Sequence, residues 1–285
     1  MLNRIINQIV KKKDNSSIDS NANSNLSDII RLYELQMLST AGSYDLWVDG
    51  NRHKSAKALD ELFYGLTRIV QPSLFVEAGA KAATTAIEIR SLVPKADIYA
   101  FEANPYNYKM YQQKLDHSKH DVNYLNIALI DKPGDITFKI RKTVDGTPVE
   151  QETGRNSILE RNHKGTTYEE VTVEGVTLDF YFKKRKNNCI WVDVEGATKQ
   201  VLMGGTEFFL DTKVAMIEVE DREVWKGQWL STKVIEFMYL HGLIPVARDF
   251  EYNAQYNIVF VNKDTFNNHI VRRNLEHFHS VSLKK

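Results

Sequence analysis

Leu74-Phe75-Val76-Glu77-Ala78-Gly79-Ala80-Lys81-Ala82-Ala83-Thr84-Thr85 passes from a short apolar run, through an acid and a glycine, to a set of small residues. The apolar run reads as a buried parallel strand. Ala86-Ile87-Glu88-Ile89, which follows, reads as the first turns of a helix. Glycine lets the backbone approach a ligand closely, and small residues let a helix pack tightly on a sheet. Strand, acid, glycine and helix in this order describe a nucleotide-type pocket. Many α/β proteins share that order, so the assignment needs a second half.

The second half is Ala96-Asp97-Ile98-Tyr99-Ala100-Phe101-Glu102-Ala103-Asn104-Pro105. It is another short strand ending in an acid, at the distance from Glu77 that a strand–helix–strand unit requires. An acid at the tip of the second strand commonly accepts hydrogen bonds from a ribose diol. Two ligands satisfy this pair of acids: a nicotinamide dinucleotide and S-adenosylmethionine. The G-x-G-x-x-G pattern is missing, because Ala80, Lys81, Ala82 and Ala83 follow Gly79. A pyrophosphate needs exposed backbone N–H groups with no side chains in the way. S-adenosylmethionine has no phosphate, so a looser turn serves it and the methyl donor is favoured.

Composition bounds the remaining choices. A chain of 285 residues fits one α/β domain with additions. Lys plus Arg and Asp plus Glu are 37 each, so no global basic field points to nucleic acid. The single cysteine, Cys189, excludes an intramolecular disulfide and a thiolate metal cluster, and reads as a small core residue. No apolar run reaches the roughly 18 residues of a membrane span, and Met1–Asp14 lacks the features of a signal peptide. The expectation is a soluble, cytoplasmic protein, with self-association left open.

Along the chain, Leu2, Ile5, Ile6, Ile9 and Val10 fall on one face of a helix before Lys11–Lys13. A weak membrane-surface anchor competes there with a short solvated helix, which is preferred. Asn15–Asn25 reads as a flexible linker. Helices are expected from about Leu26 to Ser39 and from Ser55 to Val70, roofing the pocket at the sheet edge. Val122–Ile130 reads as the third strand, and Ile136–Ile140 and Glu170–Val176 alternate as strands. Thr143–Thr167 is long and polar, as functional loops are. Cys189–Gly196 is the fourth strand of the main sheet, and Ala197–Leu210 its helix. Val214–Glu220, Leu243–Ala247 and Asn257–Asn262 complete the sheet. No helix separates the last two, so they are expected to pair antiparallel. Asn267–Lys285 reads as a tail helix. The division is 1–25 as a flexible segment, 26–72 as helices and 73–285 as the main unit, with 133–188 inserted before the fourth strand.

Ligands of open α/β sheets bind beyond the carboxyl ends of the strands, near the switch point. Glu77, Glu102, Asp193, Glu195, Glu218 and Glu220 fall at or near such ends, and Asp193 and Glu195 point to the same side of an extended strand. Charges there are costly unless paired or solvated, so several acids on neighbouring tips suggest a polar pocket. The alternative is helix capping, for Glu195 above all. A carboxylate at the fourth tip can orient or deprotonate a hydroxyl. Asp193 with Glu220 or Asp221 could instead hold a divalent cation. His163 lies in the long loop, and His241 reads as a helix C-cap. Trp225, Trp229 and Tyr252 fit acceptor stacking and core packing equally well.

With these residues in hand, the chain resembles the FkbM-like S-adenosylmethionine-dependent methyltransferases. The family's Asp-x-Gly-Ala-Asn-x-Gly is similar to Glu77–Ala83, and its Phe-Glu-Pro-x-Pro to Phe101–Pro105. Asn126-Ile127-Ala128-Leu129, Thr177-Leu178-Asp179 and Asp193-Val194-Glu195-Gly196-Ala197 match in order, over about residues 74 to 262. Lys81 stands where the family has asparagine, and Ala83 where it has glycine. The resemblance implies a doubly wound Rossmann-like class I methyltransferase sheet of seven strands, the last antiparallel. It implies that Glu77, Gly79, Ala80, Glu102, Ala103, Asn126, Ala128 and Asp193 line S-adenosylmethionine. Asp193, Glu195 and Glu220 would face the reacting end. The implied reaction is O-methylation of a sugar, glycan or glycan precursor. Lipid-linked, natural-product or peptide acceptors and a catalytically silent binding module remain as alternatives.

Overall fold

β1 (Leu74–Ala78) is buried at every residue. It lies at the centre of a seven-stranded sheet in a computed structural model that describes residues 18–42, 44–151 and 154–282. The expected Met1–Lys13 helix and the last three residues of the tail lie outside the described residues. β2 (Asp97–Phe101) and β8 (Asn188–Val192) flank β1, both parallel to it. β3 (Asn123–Leu125) closes one edge beside β2. On the other side β9 (Thr212–Glu220) runs parallel to β8, and β11 (Gln255–Asn262) is antiparallel to both β9 and β10 (Leu243–Arg248). The order β10-β11-β9-β8-β1-β2-β3 is the expected doubly wound class I methyltransferase sheet, with its last strand antiparallel.

Alternation along the strands divides the core into two layers. Leu74, Val76, Ile190, Val192, Ala215 and Ile217 point into one cluster. Phe75, Cys189, Val214 and Met216 point into the other, so Cys189 is the core residue expected. The first layer is covered by α1 (Ile18–Ala41), through Tyr33 and Met37, and by α8 (Ser231–Leu240). The second is covered by α2 (Asp49–Val70), α3 (Thr84–Leu92) and α10 (His269–Ser282). On α2, Leu59, Phe63 and Leu66 share one face and are fully buried. At about 1.5–3 kcal/mol each, an upper estimate, they dominate its docking. Both N-terminal helices thus cover the sheet faces. α1 starts at Ile18, eight residues before Leu26, because a helix nucleated on its apolar face propagates cheaply into a polar flank.

The third expected strand is divided. Asn126 Nδ2 donates to the carbonyls of Glu102 and Ala103 at 2.8 and 3.2 Å, which draws the chain off the main sheet after Leu125. β4 (Ala128–Leu129) then joins a second sheet with β5 (Gly134–Val144), β6 (Thr147–Pro148) and β7 (Thr166–Val176), in the order β4-β7-β5-β6. The expected helix 197–210 is also divided, into α6 (Thr198–Met203) and α7 (Thr206–Leu210). α5 (Leu178–Tyr181) explains the break. The Asp179 carboxylate accepts from the N–H groups of Phe208 and Glu207 at 2.7 and 3.1 Å and from the Thr206 hydroxyl at 3.1 Å. It caps α7 from across the chain. Gly204 sits against the Ile130 carbonyl, which a Cβ would meet at 2.0 Å.

Asp179→Ala is therefore expected to lower stability by about 1–3 kcal/mol. Gly65→Ala, within α2 and with its nearest outside atom at 3.8 Å, should raise stability by about 0.5–1 kcal/mol. Urea unfolding of the two variants checks both signs, and a neutral Asp179→Ala would sink the capping role.

Candidate functional site

The tips of β1 and β8 touch. Gly79 has φ +83°, and a Cβ on it would lie 1.7 Å from the Asp193 carbonyl oxygen. The turn that follows is held at nearly every polar backbone group. The N–H groups of Gly79 and Ala80 both donate to the Phe101 carbonyl at 2.9 Å, and that of Ala83 to the Ala80 carbonyl at 2.6 Å. The N–H of Lys81 donates to Glu102 Oε2 at 2.6 Å. From behind, the Tyr124 hydroxyl donates to the Lys81 carbonyl, and His117 Nε2–H to the Ala82 carbonyl at 3.1 Å. The His117 ring stacks on Tyr124 with centroids 4.2 Å apart. Lys81 and Ala83 sit at φ +47° and +56°, in the left-handed region. That region costs a non-glycine residue about 1–2 kcal/mol, which the hydrogen bonds around the turn offset. The two departures from the family pattern leave the turn intact.

Glu77 does not line the cavity. Its carboxylate accepts from the Ala86 N–H at 2.8 Å, at the start of α3, so it caps the helix. Burial raises its pKa from 4.5 to about 8, against the opposing Ala86 hydrogen bond. Glu102 ties two turns together, with Oε2 on Lys81 and Oε1 accepting from the Asn104 N–H at 2.7 Å. Burial carries it to about 7. Asn126 shapes the β2 tip through the two carbonyls named above, and neither it nor Ala80 lines the cavity. Gly79, Glu102, Ala103, Ala128, Asp193 and Glu195 do.

β8 ends at Val192, so Asp193 and Glu195 belong to the turn beyond it rather than to an extended strand. Glu195 and Gly196 are both left-handed, at φ +50° and +80°, and Ser157 Oγ donates to the Glu195 carbonyl at 2.7 Å. Both acids reach the cavity from this turn. Burial raises Asp193, Glu195 and Glu218. The hydrogen bond between Asp193 and Glu218 acts downward on Asp193 and upward on Glu218. Gln255 Nε2 holds Glu218 Oε1 at 2.8 Å.

Glu220 lies apart from the cavity, 1% exposed, accepting from Gln228 Nε2 at 2.9 Å. Asp221 accepts from Ser231 Oγ at 2.6 Å and the Tyr256 hydroxyl at 2.8 Å. No group of three or more His, Cys, Asp or Glu side chains poised for a metal occurs among the described residues.

The cavity, about 240 Å³, lies between the Gly79 turn and Asp193. Phe138 of β5 and Asn156 and Ile158 of the long loop cover it; the N-terminal helices do not. Trp225 is 1% exposed and rests on Gly196, where a Cβ would come within 2.3 Å of its ring. Trp229 packs against the core, 5.9 Å from Phe237 between ring centroids. Tyr252 is exposed and outside the cavity lining. His241 Nδ1–H donates to the Phe237 carbonyl at 2.7 Å, as a C-cap does, and His163 pairs with Asp145 at 3.0 Å. The sequence reading passed over Tyr124, His117 and Gln255. The spacing of Tyr124 on β3, beside the β1–β2 unit, was the one available signal.

The arrangement suits a cationic nucleoside better than a phosphate. The N–H groups of Gly79, Ala80, Lys81 and Ala83 already have protein acceptors, which leaves fewer for a pyrophosphate. Three carboxyl groups, Glu102, Asp193 and Glu195, face the space instead. Comparison with known proteins agrees. The methyltransferase FkbM domain profile matches residues 76–254. The 2-O-methyltransferase NoeI of Sinorhizobium fredii (strain NBRC 101917 / NGR234) is 23% identical over 192 residues, 64% of this chain and 74% of that protein. Precorrin-6y C5,15-methyltransferase from Geobacter metallireducens GS-15 superposes with a TM-score of 0.41 at 14% identity, covering 72% of this chain and 88% of that one. Methyltransferase FkbM from Methylobacillus flagellatus KT gives 0.40 at 10% identity, covering 66% and 44%. These structural likenesses are loose, and the fold assignment rests on the strand order.

The buried acids set a pH dependence. Glu77 and Glu195 are raised to about 8, and Glu102 and Glu220 to about 7, from 4.5. The folded chain keeps protons that the unfolded chain has released, so the associated stability is present at low pH and lost as pH rises through 7–8. His279, lowered by burial from 6.5 to about 4, acts oppositely, losing stability as pH falls below 6.5. The melting temperature of the ligand-free protein should therefore fall between about pH 6.5 and 8.5, and less steeply in Glu195→Gln. A melting temperature that rises across that interval would contradict the burial of these acids.

Proposed function

The chain belongs to the FkbM methyltransferase family, and on that premise we propose that it transfers a methyl group from S-adenosylmethionine to a hydroxyl of a sugar, glycan or glycan precursor. The observation that carries this reading is the Asp193 carboxylate. It lines the cavity beside the Gly79 turn. A carboxylate so placed can accept the proton of an alcohol as its oxygen becomes a nucleophile, a contribution of about 10²–10⁴-fold. The methyl donor, when bound, supplies an electrophilic methyl on a cationic sulfur. Gly79, Glu102, Ala103 and Ala128 would hold it, with Glu102 as the acceptor for its ribose. Asn126 and Glu77 would act from behind, shaping the β2 tip and capping α3.

Oxygen as the accepting atom is supported by the relative NoeI, a 2-O-methyltransferase. We place the catalytic unit at residues 73–285 and its acceptor side on the insertion 133–188, since Phe138, Asn156 and Ile158 cover the cavity. Glu195, raised to about 8 by burial beside Asp193, serves the acceptor as a hydrogen-bond donor when protonated. Glu220, outside the cavity lining, positions the Trp225 turn through Gln228, whose Oε1 accepts from the Trp225 N–H at 2.5 Å.

Turnover of a methyl-labelled donor against a panel of saccharides, nucleotide sugars, lipid-linked sugars and peptides tests the reading. Label should appear on a hydroxyl oxygen. In Asp193→Asn, S-adenosylhomocysteine should bind within about twofold of the unaltered protein by calorimetry, while kcat falls by about 10²-fold or more. Full activity in Asp193→Asn refutes the base assignment. Tight donor binding without turnover on any acceptor would mark a binding module instead.

A further inference from the structure

We propose that Lys81 is the anchor for the carboxylate of the methyl donor, a role its side chain takes from the backbone of the turn. The inference rests on the methyl-donor reading above and adds which residue recognises the donor's amino-acid end. Among the described residues that line the cavity, Lys81 is the one with a cationic side chain, and three are acids, Glu102, Asp193 and Glu195. S-adenosylmethionine carries two positive groups, the sulfonium and the ammonium, and one negative group, the carboxylate. The acids match the positive groups. The carboxylate needs hydrogen-bond donors or a cation.

Much of the turn's backbone is already engaged. Of the turn that would ordinarily offer N–H groups to an anion, Gly79 and Ala80 are spent on the Phe101 carbonyl, Ala83 on the Ala80 carbonyl, and Lys81 on Glu102. The Lys81 ammonium has no carboxylate within ion-pair distance among the described residues, and the side chain is exposed at the cavity rim. Its backbone is fixed on both sides, by Glu102 on the N–H and by Tyr124 on the carbonyl. The left-handed φ of +47° sets the direction in which the chain leaves the turn. Its charge is felt inside the cavity, where it opposes the burial-driven rise of Asp193.

The test compares ligands that differ in that carboxylate alone. S-adenosylmethionine and decarboxylated S-adenosylmethionine are titrated into the unaltered protein, Lys81→Met and Lys81→Asn, with S-adenosylhomocysteine as a third ligand. Asparagine tolerates the left-handed region, so Lys81→Asn should melt no lower than the unaltered protein, and a loss of affinity in it is not a loss of folding. Both variants should bind S-adenosylmethionine and S-adenosylhomocysteine about tenfold more weakly, and decarboxylated S-adenosylmethionine within about twofold of the unaltered protein. The unaltered protein should lose affinity for S-adenosylhomocysteine as salt is raised, more steeply than the variants. Equal weakening of both members of the pair, or no weakening, overturns the role of Lys81. Failure of the unaltered protein to bind S-adenosylhomocysteine at millimolar concentration overturns the methyl-donor reading itself.

Discussion

The contact between the Gly79 turn and the Asp193 carbonyl is the constraint from which the site follows. Parallel strands β1 and β8 pair up to Ala78 and Val192, and the Asp193 N–H still donates to the Ala78 carbonyl at 2.9 Å. Beyond that point each chain must turn away, one into α3 and the other into α6. The two turns share a space that admits no Cβ on the first. The divergence opens the cavity, and the closeness brings Asp193 within reach of whatever the Gly79 turn holds. A side chain at Gly79 would push the tips apart and separate the donor side from the acceptor side, even if the sheet survived.

The second constraint is charge. This fold concentrates acids at one end of a sheet, where each is costly to bury. They divide by what satisfies them. Glu77, Asp179 and Glu102 accept backbone N–H groups and so stabilise turns and helix starts. Asp221 accepts from two hydroxyls, and Glu220 from an amide. Asp193, Glu195 and Glu218 are left close to one another; burial raises the pKa of all three, and the Asp193 charge adds to the rise of Glu195 and Glu218. A pocket so lined favours a cation, because a positive ligand offsets the cost of ionising buried acids.

Much of this was legible in the residues. The apolar runs and their spacing gave the parallel sheet, and the missing helix before β11 gave the antiparallel strand. Asp193-Val194-Glu195-Gly196 marked the fourth tip. The division of labour among the acids was not legible, because an acid at a strand tip looks the same whether its next neighbour is a helix N–H or a ligand. Glu77 and Glu102 have the same spacing logic, yet only the second reaches the cavity. The break between α6 and α7 depends on Asp179 arriving from another segment, and the division of the third strand on Asn126 reaching back to β2. Both are long-range hydrogen bonds that no local periodicity records. Trp225 could be assigned to packing only once Gly196 was seen beneath it.

Lys81 and Ala83 show how a motif can change residue type and keep its shape. The turn needs left-handed backbone at 79, 81 and 83, which glycine and asparagine adopt readily and lysine and alanine do not. Here the geometry is imposed from outside, by Phe101, Glu102, Tyr124 and His117, so side-chain choice at 81 is freed from backbone duty. On the proposed reading, that freedom lets a charge be placed where four of the turn's own N–H groups are already engaged. The same electrostatics bears on turnover. On that reading Asp193 and Glu195 would attract a cationic sulfur, whereas the sulfur that remains after methyl transfer is neutral. The acids would then hold the donor more firmly than its product, while the cation at Lys81 would treat the two alike. Selectivity between donor and product would reside at the β8 tip, and overall affinity at the Gly79 turn.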